Sequence, residues 1–516
     1  MTEPEPPLSR RAAREARVGG AATESGAVGE ATDEPGGFAG PPTGIAAFVS
    51  RHPRAVLTTA LTVGFLLVTS GALFAGIAVG STSTAAPLPT ATATPTPTPV
   101  ARALPSAIAN PSRVRTCSID ALARDERLTT LFGSVVNTAT GELLWDRQAA
   151  TPAATASVLK VLTGAAVLSA LGPDFRLTTR VITGSTAGSV VLVGGGDATL
   201  SRLPVGQESV YPGAPKLADL AAQTVAAYAA ANPDAPAITE VVLDAGYWNT
   251  GDRWDSSWDR SLQTIGYNSE VTALQVDGDR DDPRRAISPR STDPVGRAGA
   301  AFAIALAEAG NPSGAPTVSF GSAVGSTVLA QVQSQPVSAL VSLMIDTSDN
   351  TIAEMLARVS SRMIGLDGSA ASLTRTFTGA LDTYGVATAG ISIRDGSGLS
   401  ALNAVPAQYV SELLVVINAG GQNLPIITGA LSVAGVSGNL AGRFTGPNAI
   451  ARGAVQGKVG WIGSAYTLAG IVRAADGTVL TFSFYAIRDG INENARAALD
   501  TLTTGVFSCG DNLSNN

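Results

Sequence analysis

Ser157 and Lys160 stand three residues apart in Ala154-Thr155-Ala156-Ser157-Val158-Leu159-Lys160, and Val161, Leu162, Ala165, Ala166, Val167, Leu168 and Leu171 follow. The run has no proline and is apolar on most sides, which predicts a buried helix beginning near Ser157. Positions i and i+3 share a helix face, so the Lys160 amine can reach the Ser157 hydroxyl. The first-turn N–H groups have no partner within the helix and carry the positive end of its dipole. A serine there has a base beside it and oxyanion donors around it, which are the parts of acyl transfer through a covalent intermediate. The spacing alone says little, because a serine cap followed by a surface lysine is the usual helix start. Composition adds to it: among 34 basic residues, only Lys160, Lys216 and Lys458 are lysines. Arginine stays protonated, whereas a desolvated lysine can lose its proton and serve as a base.

Rival chemistries are few. The single histidine, His52, lies far from the main body, which excludes a Ser-His-Asp triad, a Cys-His dyad or a histidine-rich zinc site there. A net charge of −7 and a pI near 5.0 argue against nucleic acid as a partner. The two cysteines, Cys117 and Cys509, stand at the two ends of the expected folded region. In an exported domain such a pair would staple the termini; two free buried thiols are the alternative.

The elements that must carry these residues follow in order. Residues 1–54, rich in Gly, Ala, Pro and Glu with Arg10, Arg11, Arg14 and Arg17, read as a disordered cytoplasmic tail. Ala55–Gly80 is an uncharged, mostly apolar stretch long enough to span a bilayer. Arg51 and Arg54 precede it and no basic residue follows closely, so the stretch is expected to be a single-pass signal anchor with the catalytic part outside the membrane. A cleaved signal is the lesser alternative. Residues 81–114 alternate Thr, Pro and Ala, the composition of a semi-extended linker.

The folded part is expected from about Arg115. Leu131–Val136 and Glu142–Trp145 predict a strand hairpin, and the Ser157 helix comes next. From about Phe175 the texture turns to short strands and turns. Gly194-Gly195-Gly196-Asp197 is expected to be a tight turn, since neither Gly-Lys-Ser/Thr nor a helix start follows it. Asp277, Asp279, Asp281 and Asp282 resemble half a calcium loop but lack its glycine and its final glutamate; a solvated loop balanced by Arg280, Arg284 and Arg285 is expected. Trp248, Trp254 and Trp258 read as packing rather than as a sugar platform. Helices return at Val295–Ala309, Val337–Met344, Thr351–Ser360, Gln408–Ile417 and Ile426–Leu431. Strands Ala465–Val472 and Val479–Ala486 and a last helix, Ile491–Thr503, close the chain.

Three short patterns now stand in order: Ser157-x-x-Lys160, Ser348-Asp349-Asn350 and Lys458-x-Gly460. Each alone is weak, but together they use two of the three lysines. With Gly195–Leu200, Asp349–Leu356, Asp395-Gly396-Ser397-Gly398-Leu399-Ser400 and the long insertion between the first two patterns, the chain resembles the serine D-Ala-D-Ala carboxypeptidase/endopeptidase family of the penicillin-binding protein 4 type, peptidase family S13. The resemblance covers roughly residues 115–510.

It implies an α+β fold: a penicillin-binding/β-lactamase-like transpeptidase domain, an antiparallel sheet flanked by helices, built from 115–174 and 335–510. A large β-rich insertion would occupy 175–334. It also implies roles. Ser157 would attack the D-Ala-D-Ala carbonyl of peptidoglycan stem peptides, with Lys160 as base and Ser348 as proton relay. Asn350 would bind the substrate amide and orient Lys160, and Lys458 would meet the terminal carboxylate. The N–H groups of Ser157 and Trp461, beside Gly460, would form the oxyanion hole. No metal or cofactor is expected, and β-lactams would inhibit by acylating Ser157. One position departs from the pattern: Val459 replaces the usual threonine and lacks a hydroxyl for the substrate carboxylate. Weak carboxypeptidase activity or a preference for internal cross-links would follow. Two other readings are a serine β-lactamase, against which stand the anchor, the linker, the insertion and the lack of a Glu-x-x-x-Asn element, and a degenerate family member that only binds peptidoglycan or a partner, for which Val459 is the one support.

Overall fold

The computed structural model describes residues 114–515 apart from Ser326. The expected tail, anchor and nearly all of the expected linker lie outside these residues. Among the described residues, no helix is long and apolar enough to cross a membrane.

A six-stranded antiparallel sheet organises both ends of the described chain. Its order is Ser432–Val433, Val455–Ile462, Ala465–Arg473, Val479–Ile487, Thr130–Asn137 and Leu143–Arg147. These strands are rich in Val, Ile, Phe and Tyr, which suit a pleated, half-buried surface. Helix Ala407–Ala419 packs on one region of the sheet, against Val479–Ile487 and Thr130–Asn137. The last helix, Glu493–Cys509, packs on Ala465–Arg473. Two hydrophobic clusters result. One joins Leu468, Phe482 and Phe484 to Leu499, Leu502 and Val506 of the last helix. The other fills the helical region around the Leu159–Leu171 helix, with Leu340, Val341, Met344, Leu356, Phe377 and Leu414 among its members. Cys117 and Cys509 form a disulfide that closes the two ends of this unit, 392 residues apart.

The segment between the first two patterns departs from expectation. It holds a five-stranded sheet in the order Thr317–Phe320, Glu240–Asp244, Ser189–Val193, Thr178–Thr183, Val328–Gln333. Two of its pairings, Ser189–Val193 with Glu240–Asp244 and Glu240–Asp244 with Thr317–Phe320, are parallel. Parallel neighbours need crossover connections, and the 15-residue helices Leu217–Ala231 and Pro294–Glu308 lie in those connections. The segment is thus mixed α/β rather than β-rich. The second of these helices is the one expected at Val295–Ala309; the alanine-rich Leu217–Ala231 carries too weak an apolar stripe to stand out from strand-and-turn texture.

The acidic loop near Asp277 is solvated only in its second half, where Asp281, Arg284 and Arg285 are exposed. Asp277 and Asp279 are fully buried and Arg280 is 3% exposed. Arg202 contacts Asp277, Arg297 contacts Asp279 and Arg280 contacts Asp349, so distant partners compensate these charges. Trp248 and Trp258 are buried as expected of packing residues.

Candidate active site

Ala156–Val158 forms a tight 3-10 turn that runs directly into helix Leu159–Leu171. Every residue from Leu159 to Leu168 is buried, so the apolar run anchors the turn from within. Ala156 holds a left-handed backbone at φ 44°, an unfavourable conformation for a side-chain-bearing residue. Lys160 lies wholly within the protein. Its Nζ donates to Ser157 Oγ at 3.1 Å, to Asn350 Oδ1 at 2.7 Å and to the Ser397 carbonyl at 2.6 Å. Burial pulls its pKa down to about 8, against the opposing pull of Asp395, Glu354 and Asp349. A buried amine with such a pKa can exchange a proton with a hydroxyl beside it near neutrality.

The second pattern sits at a helix junction. Helix Val337–Thr347 ends on Ser348, which adopts a left-handed conformation at φ 59°. Asp349 then caps helix Asn350–Met363, its Oδ1 accepting from the Ile352 N–H at 2.9 Å. This break turns Ser348 and Asn350 in different directions from adjoining helix ends. Asn350 Nδ2 donates to the Tyr267 carbonyl at 3.0 Å, so the amide is gripped between Lys160 and the inserted segment.

The third pattern lies on strand Val455–Ile462. Lys458 is 2% exposed, and its Nζ donates to Ser348 Oγ at 2.9 Å and to the Val459 carbonyl at 3.0 Å. Burial holds its pKa well below the usual lysine value, Lys160 lowers it further and Asp346 opposes both. Gly460 is the point of closest approach. A Cβ there would lie 2.7 Å from the Ser157 nitrogen and 2.3 Å from Thr467 Oγ1, so only glycine lets the strand lie against the serine turn. Thr467 Oγ1 donates to the Thr155 carbonyl at 2.7 Å and ties the neighbouring strand to the same turn. Trp461 is 56% exposed and stacks obliquely on Tyr466. Val459 is half-buried against the cluster that contains the last helix.

Ser157, Lys160 and Asn350 share one set of hydrogen bonds and Ser348 and Lys458 another; the two sets meet where Gly460 approaches the Ser157 nitrogen and where Lys458 feels the charge of Lys160. The third lysine, Lys216, is buried in the inserted segment and donates to the Gln207 carbonyl at 2.6 Å. Sequence reasoning missed the supports behind the site. Tyr211 and Arg280, both buried, bond Asp349 Oδ2 at 3.1 and 2.9 Å. Burial opposes ionisation of Asp349, but Arg280 and Arg290 outweigh it and hold its carboxyl below the ordinary range. Glu354 and Asp395, also buried, hold the Gly396–Gly398 loop whose Ser397 carbonyl meets Lys160. Glu354 and Asp395 lie in the Asp349–Leu356 and Asp395–Ser400 stretches that carry the family resemblance, which gave neither a role; the i, i+4 spacing of Asn350 and Glu354 is a second signal that links Glu354 to the site.

Known proteins share this arrangement's framework. The profile of the D-Ala-D-Ala carboxypeptidase 3 (S13) family matches residues 116–284 and 274–506. Carboxypeptidase DacB of Mycolicibacterium smegmatis is 34% identical over 417 residues, covering 80% of this chain and 84% of the relative. Carboxypeptidase Rv3627c of Mycobacterium tuberculosis is 33% identical over 406 residues, covering 77% and 84%. The crystal structure of penicillin binding protein 4 (dacB) from Haemophilus influenzae superposes with a TM-score of 0.61 at 19% identity, covering 76% of this chain and all but 1% of the other, and so has the same fold. With two thirds or more of its length aligned to these carboxypeptidases and its three patterns brought to one place, the chain belongs to the D-Ala-D-Ala carboxypeptidase 3 (S13) family.

Proposed function

We propose that the chain is a serine-type D-Ala-D-Ala carboxypeptidase/endopeptidase that cleaves peptidoglycan stem peptides through an acyl-enzyme on Ser157 and is inhibited by β-lactams. The observation that carries this reading is the bonding of Lys160 to Ser157 and Asn350 beside the bond between Lys458 and Ser348. Neutral Lys160 takes the Ser157 proton as Oγ attacks the carbonyl. The developing oxyanion meets N–H groups of Ser157 and Trp461. As the C–N bond breaks, Ser348 relays the proton held by Lys160 to the departing amine, which returns Lys160 to its neutral form, and Lys458 offers its ammonium to the terminal carboxylate. Water then attacks the ester, and Lys160 takes its proton and delivers it to Ser157 Oγ as the ester C–O bond breaks, which restores both groups.

A Haemophilus influenzae relative of the same fold was crystallised with a β-lactam bound, which supports inhibition by the same class here. A carboxylate held by Lys458 without help from a hydroxyl at Val459 suits substrates in which the remaining contacts come from the peptide, as in internal cross-links. The apolar stretch 55–80, with Arg51 and Arg54 before it, supports display of residues 115–510 outside the cell membrane on a single span. Residues 175–334 are read as one inserted domain within a discontinuous catalytic domain.

Labelling with a fluorescent penicillin, compared between the full chain and Ser157→Ala, tests the assignment together with D-Ala release from a pentapeptide. One label per chain, lost with Ser157, is expected. Steady turnover of nitrocefin would point instead to a β-lactamase, and a folded protein that takes no label would point to a binding role. Membrane fractionation and protease protection of the full chain test the anchor.

A further inference from the structure

Glu354 lies one helical turn beyond Asn350, is wholly buried, and has no part in the steps above. Its carboxylate accepts the Gly396 N–H at 3.1 Å and the Ser397 N–H at 2.8 Å. The carbonyl of that same Ser397 accepts from Lys160 Nζ at 2.6 Å. Thr163, on the helix that carries Lys160, donates to the Gly396 carbonyl at 2.6 Å and holds the loop from the other side. The loop has little room to move. A Cβ on Gly396 would lie 2.6 Å from the Ala353 carbonyl oxygen, and one on Gly398, at φ +85°, would lie 2.0 Å from that of Ala156. Two peptide units therefore connect the Glu354 carboxylate to the Lys160 amine.

We propose that Glu354 is a positioning residue for the general base: through the Ser397 backbone it fixes where the Lys160 amine sits, and its charge helps set how readily that amine gives up its proton. The proposal rests on the assignment of Ser157 and Lys160 made above. A carboxylate that merely capped a loop would need no particular relation to the amine. Here the loop that it caps supplies one of the three acceptors of Lys160.

The charges around this amine are few. Asp395, Glu354 and Asp349 favour its protonated form, and Lys458 lies close enough to feel it. Asp349 is countered by Arg280 and Arg290. Burial first and then Asp395 push the Glu354 pKa up to about 7, against the Ser397 and Gly396 bonds and Arg358, so that Glu354 carries its charge where Lys160 titrates, near 8; Arg358 is itself paired with Asp252. Asp395 is hydrogen-bonded by Trp258 Nε1, Asn403 Nδ2 and the Gly398 and Ser400 N–H groups.

The test is the rate of penicillin acylation, per titratable Ser157, as a function of pH in the full chain and in Glu354→Gln. Glutamine removes the charge and turns a donor toward one loop N–H. The plateau rate is expected to fall about tenfold from misplacement of the amine. The acid limb of the profile is expected to move to lower pH by roughly half a unit or more, because loss of a nearby negative charge makes Lys160 easier to deprotonate. An unchanged limb and rate would overturn the proposal, and a slower rate with an unmoved limb would leave Glu354 a loop anchor only and overturn it likewise. If Glu354→Gln does not fold, Glu354→Asp keeps the charge and withdraws it by one methylene. It should then slow acylation while leaving the limb in place, and an unaltered rate would count against the proposal. Absence of labelling in the wild-type protein would instead count against Ser157 as nucleophile.

Discussion

Lys458 Nζ donates to Ser348 Oγ at 2.9 Å, so the second and third patterns meet through one hydrogen bond between a strand residue and a residue at a helix break. The bond leaves Lys458 almost without solvent, and its nearest counter-charge, Asp346, does not offset burial and the nearby Lys160. An amine in that state gains most from an incoming carboxylate. Lys458→Met is therefore expected to lower kcat/KM for a D-Ala-D-Ala pentapeptide by about ten- to a hundredfold, the worth of about 1.5–3 kcal/mol for a hydrogen bond to a charged group. Steady-state kinetics check this, and an unchanged kcat/KM would remove Lys458 from substrate binding.

Lys160 gives the acylation step its pH dependence. Its pKa is drawn down to about 8, first of all by burial. The reactive form is the neutral amine, so the rate should rise about tenfold per pH unit below 8 and level off above it. Lys160→Arg keeps the charge and most of the bulk but does not deprotonate; it should abolish acylation. Stopped-flow acylation by a chromogenic β-lactam reads both. A rate independent of pH through this range would sink the assignment of Lys160 as base.

How much of this was legible in the sequence depended on how local each interaction is. Ser157 and Lys160 are neighbours on one helix, so spacing alone brought them together. Ser348, Asn350 and Lys458 were legible as short patterns; the contact of Asn350 with Lys160, across 190 residues, was expected only through the family resemblance, and that of Ser348 with Lys458, across 110, was not expected. Asp277, Asp279 and Arg280 looked like a wet loop because their burial depends on chain far removed in sequence, Asp349 among it. Glu354 stood in the Asp349–Leu356 stretch without a role, because the loop N–H groups that it accepts lie 42 and 43 residues further along the chain. In the inserted segment, the unexpected alanine-rich crossover Leu217–Ala231 hid the parallel pairing of Ser189–Val193 with Glu240–Asp244.

The Arg280–Asp349 pair makes the inserted segment part of the site's foundation. Both side chains are buried and 2.9 Å apart. Removing one partner leaves a charge in the interior, so Arg280→Met should destabilise the fold by about 3–5 kcal/mol. Adding Asp349→Asn to that variant should restore part of the loss, because no lone charge then remains. Urea denaturation of the single and double variants checks the pattern. A single variant as stable as wild type would mean that Asp349 finds water or another cation.

The Cys117–Cys509 bond closes a loop of 392 residues, which restricts the unfolded chain far more than a short loop would. Cys117→Ser is expected to lower stability by about 2–5 kcal/mol without moving the site's hydrogen bonds. Thermal unfolding with and without reductant measures the first effect, and penicillin labelling below the transition measures the second. Loss of labelling in a still-folded variant would mean that the staple also positions strand Val455–Ile462.

Gly460 tests the approach of strand to serine most directly. The Cβ of an alanine there would lie 2.7 Å from the Ser157 nitrogen and 2.8 Å from the Ala156 Cβ. Neither atom belongs to the far end of a flexible side chain, so the strand or the serine turn must shift. The turn is held by the buried Leu159–Leu168 run and by the Thr467–Thr155 bond. The strand, paired beyond Gly457 only with Ala465–Arg473, is the freer of the two. Gly460→Ala should therefore push the strand outward and carry the Trp461 N–H away from the carbonyl that Ser157 attacks. A loss of one oxyanion donor costs about a hundred- to a thousandfold in rate. Acylation should slow by that order in a variant whose cooperative thermal unfolding shows it still folded. A variant that acylates at the wild-type rate would show that the donor opposite Ser157 does not come from this strand.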